Sequence, residues 1–158
     1  MQLKVHAIDE FLARDILNWR YEAPYDFYNN EFSLEAFQEL LNQSYFAIVD
    51  TKGNLIGFFC TGALAQVPIS NHSSVYPLGY LDVGIGMNPA FTGQGRGAVF
   101  FSFILNFIKK QHRATSLRLT VAAFNTRAIR LYEKLGFKKE MGFVEGDIEF
   151  MTMIKRES

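Results

Sequence analysis

Residues 87–99 read MNPAFTGQGRGAV, and within that run Gly93, Gly95 and Gly97 stand two apart between stretches of different periodicity. Upstream, residues 80–87 alternate, with Leu81, Val83, Ile85 and Met87 on one face, which predicts a strand. Downstream, Val99, Phe103 and Phe107 recur every four residues, as do Phe100, Ile104 and Ile108, which predicts a helix. The glycines therefore fall where a strand turns into a helix N-terminus. Unpaired N–H groups and the positive end of the helix dipole make such a turn an anion site, and phosphate is the usual anion. Glycine lets the backbone approach the ligand and adopt positive φ. The stretch predicts a phosphate-binding turn.

Three phosphate motifs compete for it. A nucleotide-triphosphate loop needs G-x-x-x-x-G-K-[ST], and no Lys-Ser or Lys-Thr pair follows these glycines. The dinucleotide fingerprint is met literally by Gly93, Gly95 and Ala98, but it also wants an acidic residue about twenty positions on. No Asp or Glu occurs between Asp82 and Glu133, so that reading fails. Thr92-Gly93-Gln94-Gly95-Arg96-Gly97 resembles a third pattern, Q/R-x-x-G-x-G/A, at both glycines. That pattern is the acyl-CoA pyrophosphate loop of the GNAT superfamily of N-acetyltransferases. Thr92 stands where the leading Arg or Gln would be, and its hydroxyl offers a phosphate a hydrogen bond without charge.

A second motif supports the third pattern. Residues 121–137 read VAAFNTRAIRLYEKLGF, preceded from Ser116 by a β-branched, apolar run that predicts a strand. Asn125 or Thr126 can cap the helix that follows, and Gly136 stops it after the basic Lys134. The segment closely resembles the second GNAT signature, with Asn125, Ala128, Tyr132, Gly136 and Phe137 at the matching positions. If Asn125 starts the helix, it and Tyr132 lie about two turns apart on one face. The two motifs occur in the family's order, with room between them for one helix and one strand.

The resemblance implies a fold and a chemistry. The fold is α/β (α+β): one GNAT-like domain over residues 1–158, with a mixed, mostly antiparallel twisted sheet of six to seven strands. Helices lie on both faces, and strands four and five are parallel and splayed. The implied activity is transfer of the acetyl group of acetyl-CoA to a primary amine of a small molecule or protein, by direct attack in a ternary complex. Ile85, Gly86 and Met87 would pair with the pantetheine arm, and the Met87 N–H would polarise the thioester carbonyl. Thr92, Gly93, Gln94, Gly95, Arg96, Gly97 and Ala98 would hold the pyrophosphate, with Asn125, Ala128 and Tyr132 completing the CoA-binding set.

Tyr132 is the expected proton donor to the departing thiolate, since a phenol with an ordinary pKa near ~10 is protonated at neutral pH. Asp82 is the candidate base for the attacking ammonium, set against a structural role for the same carboxylate. Glu22, Asp26 and Glu31 are alternatives for amine recognition, where cation–π contact from Tyr25, Phe27 or Tyr28 could help. The alternative function is a non-catalytic acyl-CoA-binding sensor or regulatory module, which the loss of the leading Arg or Gln favours and the presence of Asn125 and Tyr132 opposes.

Bulk properties agree with a small soluble enzyme. A chain of 158 residues is one domain's worth and buries roughly 70% of its unfolded surface. Sixteen basic and 16 acidic residues give zero formal net charge, so no global field favours nucleic acid. Lys109-Lys110-His112-Arg113 and Lys138-Lys139 read as solvated element ends. Cys60 alone excludes an internal disulfide, reads as a packed small hydrophobe, and leaves no metal spacing with the scattered His6, His72 and His112. No leader-like or membrane-length apolar segment is visible, so a cytoplasmic location without membrane attachment is expected. The acceptor's identity and the oligomeric state are not legible, and a homodimer is left open.

Along the rest of the chain, residues 2–8 predict a strand and 9–19 an amphipathic helix. A helix capped by Ser33 is expected through Leu41. Strands at 45–49 and 55–61 flank a glycine turn, 64–78 reads as a loop, and 148–154 as a closing strand.

Overall fold

Leu3 and Val5 alternate with Lys4 and His6, and that alternation builds β1 (Leu3–Ala7) as a half-buried edge strand. The computed structural model describes residues 2–69, 72–113 and 115–157. Two compact units divide the chain. One comprises the residues up to Cys60 together with Ile85–Phe101, the other Thr61–Gly84 and the residues from Ser102 onward.

In the first unit, Asp9 caps α1 (Glu10–Leu17) by accepting from the Leu12 N–H, and Ser33 caps α2 (Leu34–Leu40) by accepting from the Ala36 N–H. α1 buries Ala13, Ile16 and Leu17 at the three- and four-residue spacing of one helix face. β2 (Tyr45–Asp50) and β3 (Leu55–Thr61) are mostly buried along their length, as apolar strands inside a sheet are. β1 pairs antiparallel with β2, and β2 antiparallel with β3, with a bulge between Ile48 and Val49. In the turn between β2 and β3, Asp50 accepts from the Lys52 N–H and from the backbone and side chain of Asn54. Those bonds, the Asn54 side chain's first, hold the Asp50 carboxyl below the usual range. The Tyr45 hydroxyl donates to Glu39 at 2.8 Å, and burial pushes the phenol's pKa up.

β4 (Leu81–Met87) contributes its last residues to this unit. A Cβ on Gly86 would run into the Phe58 ring, and one on Gly57 would run into both the Gly86 carbonyl and the Phe100 ring. Close approach of backbone to aromatic rings therefore fixes both glycines.

The second unit holds α3 (His72–Val75), the first part of β4, most of α4 (Gly97–Gln111), β5 (Leu117–Ala122), α5 (Thr126–Lys134), β6 (Lys138–Glu145) and β7 (Ile148–Lys155). β5 and β6 both pair antiparallel with β7. β4 and β5 are parallel, paired at Leu81↔Leu117 and Asp82↔Arg118. Hydrogen-bonded neighbours in the mixed sheet run β1-β2-β3-β4-β5-β7-β6.

Of the two apolar rows read in α4, Phe100, Ile104 and Ile108 are buried, joined by Phe101 and Leu105, while Val99 is half exposed. The expected loop at 64–78 differs. It contains a 3-10 turn at Ala63–Ala65 and the short α3, while Ser70 and Asn71 lie outside the described residues. Tertiary bonds account for this order. The Tyr76 hydroxyl accepts from the Val67 N–H at 2.9 Å and bonds Thr120 at 2.8 Å, and four residues of helix carry no readable period.

Candidate active site

Ile85, Gly86 and Met87 close β4, and Asn88 fixes how they end. Its N–H donates to the Ile56 carbonyl at 2.8 Å and its side-chain amide to the Leu55 carbonyl at 2.9 Å. Its Oδ1 accepts from the Ala90 N–H, capping a 3-10 turn at Pro89–Phe91. Backbone groups of successive strand residues point to opposite edges. Asn88 faces β3, so the N–H and C=O of Met87 face the other edge. There the Met87 carbonyl accepts the Tyr21 hydroxyl at 2.6 Å.

The glycine loop follows. Gly93 and Gly95 take φ of 70° and 74°, the left-handed region, and Gly97 opens α4. Gly93, Gln94, Gly95, Arg96 and Ala98 are exposed. Gln94 folds the loop back by donating to the Ala90 carbonyl at 2.8 Å. The Thr92 hydroxyl donates to the Pro89 carbonyl at 3.0 Å, so its proton is directed into the turn and Thr92 serves the loop's shape. Charge comes from Arg96, whose guanidinium lies 5.5 Å from the Phe91 ring centre. A cation beside a helix N-terminus opposes the dipole, and a bound anion relieves that opposition. Left-handed glycines, an exposed helix start and an arginine together fit a pyrophosphate.

The second motif lies in the other unit. Asn125, one of the two expected caps, is the one used, and its Oδ1 accepts from the Ala128 N–H at 3.1 Å. α5 ends as a Schellman motif: the Phe137 N–H bonds the Tyr132 carbonyl at 3.0 Å and the Gly136 N–H the Glu133 carbonyl at 3.1 Å. Gly136 has φ of 96°, and the rings of Tyr132 and Phe137 lie 6.4 Å apart, supplying the apolar contact such motifs carry. Four of the five signature residues thus have local jobs: cap, small first-turn residue, left-handed stop and apolar clasp. They hold the fifth, the buried Tyr132, in a fixed place on its helix.

Asp82 sits in a polar cluster that the sequence did not reveal. Its carboxylate accepts from Arg118 Nε at 2.7 Å and Nη2 at 2.8 Å, and also from Gln66 at 2.8 Å. Both charged residues are 3% exposed. Arg118 also donates to the Pro77 carbonyl at 2.8 Å and lies over the rings of Tyr76 and Tyr80, at 5.0 and 5.2 Å from their centres. The pairing follows from the parallel register Asp82↔Arg118, a link across 36 residues that no local pattern carries.

In the first unit the aromatic segment forms a 3-10 turn at Tyr25–Tyr28. Phe27 and Tyr28 pack edge-to-face at 5.1 Å, and Glu22, Asp26 and Glu31 of the same segment are exposed. Cys60 is a buried thiol, as its apolar surroundings predicted. Among the described residues no group of His, Cys, Asp or Glu is placed to hold a metal ion, and no helix is long and apolar enough to cross a membrane.

A family model described as acetyltransferase (GNAT) family matches residues 13–137. No curated protein matches the sequence. Among solved structures, a spermidine N-acetyltransferase from Vibrio cholerae in complex with CoA and spermine has a TM-score of 0.72 at 22% identity, covering 97% of this chain and 94% of that one. A chimera of Vibrio cholerae SpeG and hSSAT has a TM-score of 0.70 at 21% identity, covering 99% of this chain and 96% of that one. At such identities the likeness concerns the fold.

Proposed function

The chain belongs to the acetyltransferase (GNAT) family, and from that premise we propose that it moves the acetyl group of acetyl-CoA to a primary amine of a small molecule, by direct attack in a ternary complex. The observation that carries this reading is the capped and clasped helix from Asn125 to Phe137, which holds a tyrosine at the family's position. We take residues 1–158 as one acetyltransferase domain.

Acetyl-CoA supplies an activated acyl group on a sulfur leaving group. The N–H groups from Gly93 to Ala98 receive its pyrophosphate, with Gln94 shaping the loop, Arg96 adding charge and Thr92 bracing the turn. Ile85, Gly86 and Met87 offer backbone groups to the pantetheine arm, and the Met87 N–H donates to the thioester oxygen as negative charge grows there. Asn125 orders the first turn of α5, and the small Ala128 leaves room beside it. The neutral amine attacks the carbonyl carbon, the N–C bond forms, the C–S bond breaks, and Tyr132 gives its proton to the sulfur. The ammonium's first proton goes to solvent before attack, and the second, shed by the nitrogen as the amide forms, restores the phenol through solvent. Asp82 is given a holding role, because Arg118 engages both of its oxygens.

The exposed carboxylates Glu22, Asp26 and Glu31, in the same segment as Tyr25, Phe27 and Tyr28, suit a cationic acceptor. The structures that share the fold are named for spermidine, so a polyamine leads the candidates.

Acetyl-CoA at 100 times its dissociation constant is expected to add about 2.7 kcal/mol of stability. For a chain of this size that raises the melting temperature by about 5–10 °C. A thermal melt with acetyl-CoA, NADH and ATP in parallel checks this. A shift with NADH or ATP and none with acetyl-CoA would overturn the reading.

A further inference from the structure

We propose that Tyr21 is a positioning residue for acetyl transfer, aiming the Met87 N–H by holding the Met87 carbonyl. The inference rests on the reading of that N–H as donor to the thioester oxygen. The two groups belong to one residue and face the same strand edge, so a restraint on the carbonyl is a restraint on the N–H.

Met87 needs an external restraint. Gly84 and Gly86 precede it in β4, and glycine adds backbone freedom that a strand's side chains would otherwise remove. On the β3 side Asn88 supplies two hydrogen bonds, to Ile56 and Leu55. On the opposite side the described bond to Met87 comes from Tyr21, at 2.6 Å and across 66 residues of sequence.

Tyr21 is itself held. Its N–H donates to Asn29 Oδ1 at 2.6 Å, and its ring meets the edge of Tyr28 at 6.5 Å. A side chain fixed at its backbone and at its ring presents the hydroxyl in one place. The same anchoring ties the aromatic turn at Tyr25–Tyr28 to the end of the strand that receives the acyl group. Tyr21 therefore acts through Met87 and is not itself a proton donor or base.

The test compares wild type with Tyr21→Phe, which keeps the ring and removes only the hydroxyl. Loss of one neutral hydrogen bond corresponds to about a two- to tenfold effect. Turnover is expected to fall by that factor, with the KM for acetyl-CoA within about twofold and the melting temperature lowered by about 1–6 °C.

Infrared spectra of bound acetyl-CoA, isotope-labelled at the acetyl carbonyl, supply a readout that a merely structural role would not move. The carbonyl stretch is lowered in wild type and returns toward its solution position in Tyr21→Phe. Asn29→Ala, which frees the Tyr21 N–H but keeps the phenol, shifts it the same way by less, and it decides the matter should Tyr21→Phe not fold. Wild-type turnover and stretch in Tyr21→Phe would overturn the inference alone. A solution-like stretch in wild-type protein with acetyl-CoA bound would overturn the role of Met87 and this inference together.

Discussion

Tyr132→Phe is expected to slow acetyl transfer by about 10²–10⁴-fold, the usual contribution of a positioned general acid. The substitution keeps the ring and its contact with Phe137, and the Schellman bonds that end α5 are backbone bonds that it does not touch. Affinity for CoA should therefore change little. Steady-state turnover beside calorimetric titration with CoA separates the possibilities. Equal loss of rate and affinity would make Tyr132 a ligand anchor, and unchanged turnover would mean that another group protonates the thiolate.

Asp82→Asn is expected to destabilise the fold by about 3–5 kcal/mol, because it strands the Arg118 charge among buried neighbours. At this chain length that corresponds to a fall in melting temperature of about 6–20 °C. Arg118→Met combined with Asp82→Asn should recover part of the loss, since no buried charge is then left unpaired. Chemical denaturation of the two single variants and the double variant measures the coupling. A folded Asp82→Asn protein with wild-type stability and abolished turnover would instead return Asp82 to the role of base.

What the sequence disclosed was local. Asn125 as cap and Gly136 as stop act within a dozen residues of one another, so the sequence shows them, and the structure adds Phe137 as the apolar clasp. The glycine loop was legible for the same reason, because a strand, a turn and a helix follow each other without interruption. Strand and helix order followed from periodicity, and two of the helices began at the expected side-chain caps, Ser33 and Asn125.

The links hidden from a single sequence were tertiary. Asp82 reads as a lone carboxylate on a strand until the register of β4 against β5 brings Arg118 beside it. Tyr21 reads as one aromatic among several until its hydroxyl is found on Met87. The turn of α3 rests on Tyr76 bonds to Val67 and Thr120 rather than on any property of residues 72–75. Thr92 shows a finer limit: its type suggests a donor to phosphate, and only the conformation of the preceding turn reveals that Pro89 takes the proton.

The central claim is acetyl transfer from acetyl-CoA to an amine. Free-thiol release by the intact protein, measured over a panel of polyamines, aminoglycosides, amino acids and lysine-containing peptides with the acetylated product identified by mass, tests it most directly. Thiol release is expected to depend on one small-molecule amine and to be matched mole for mole by that amine's acetylated form. Tight acetyl-CoA binding with no amine-dependent thiol release across the panel would contradict it and leave a CoA-binding module in its place.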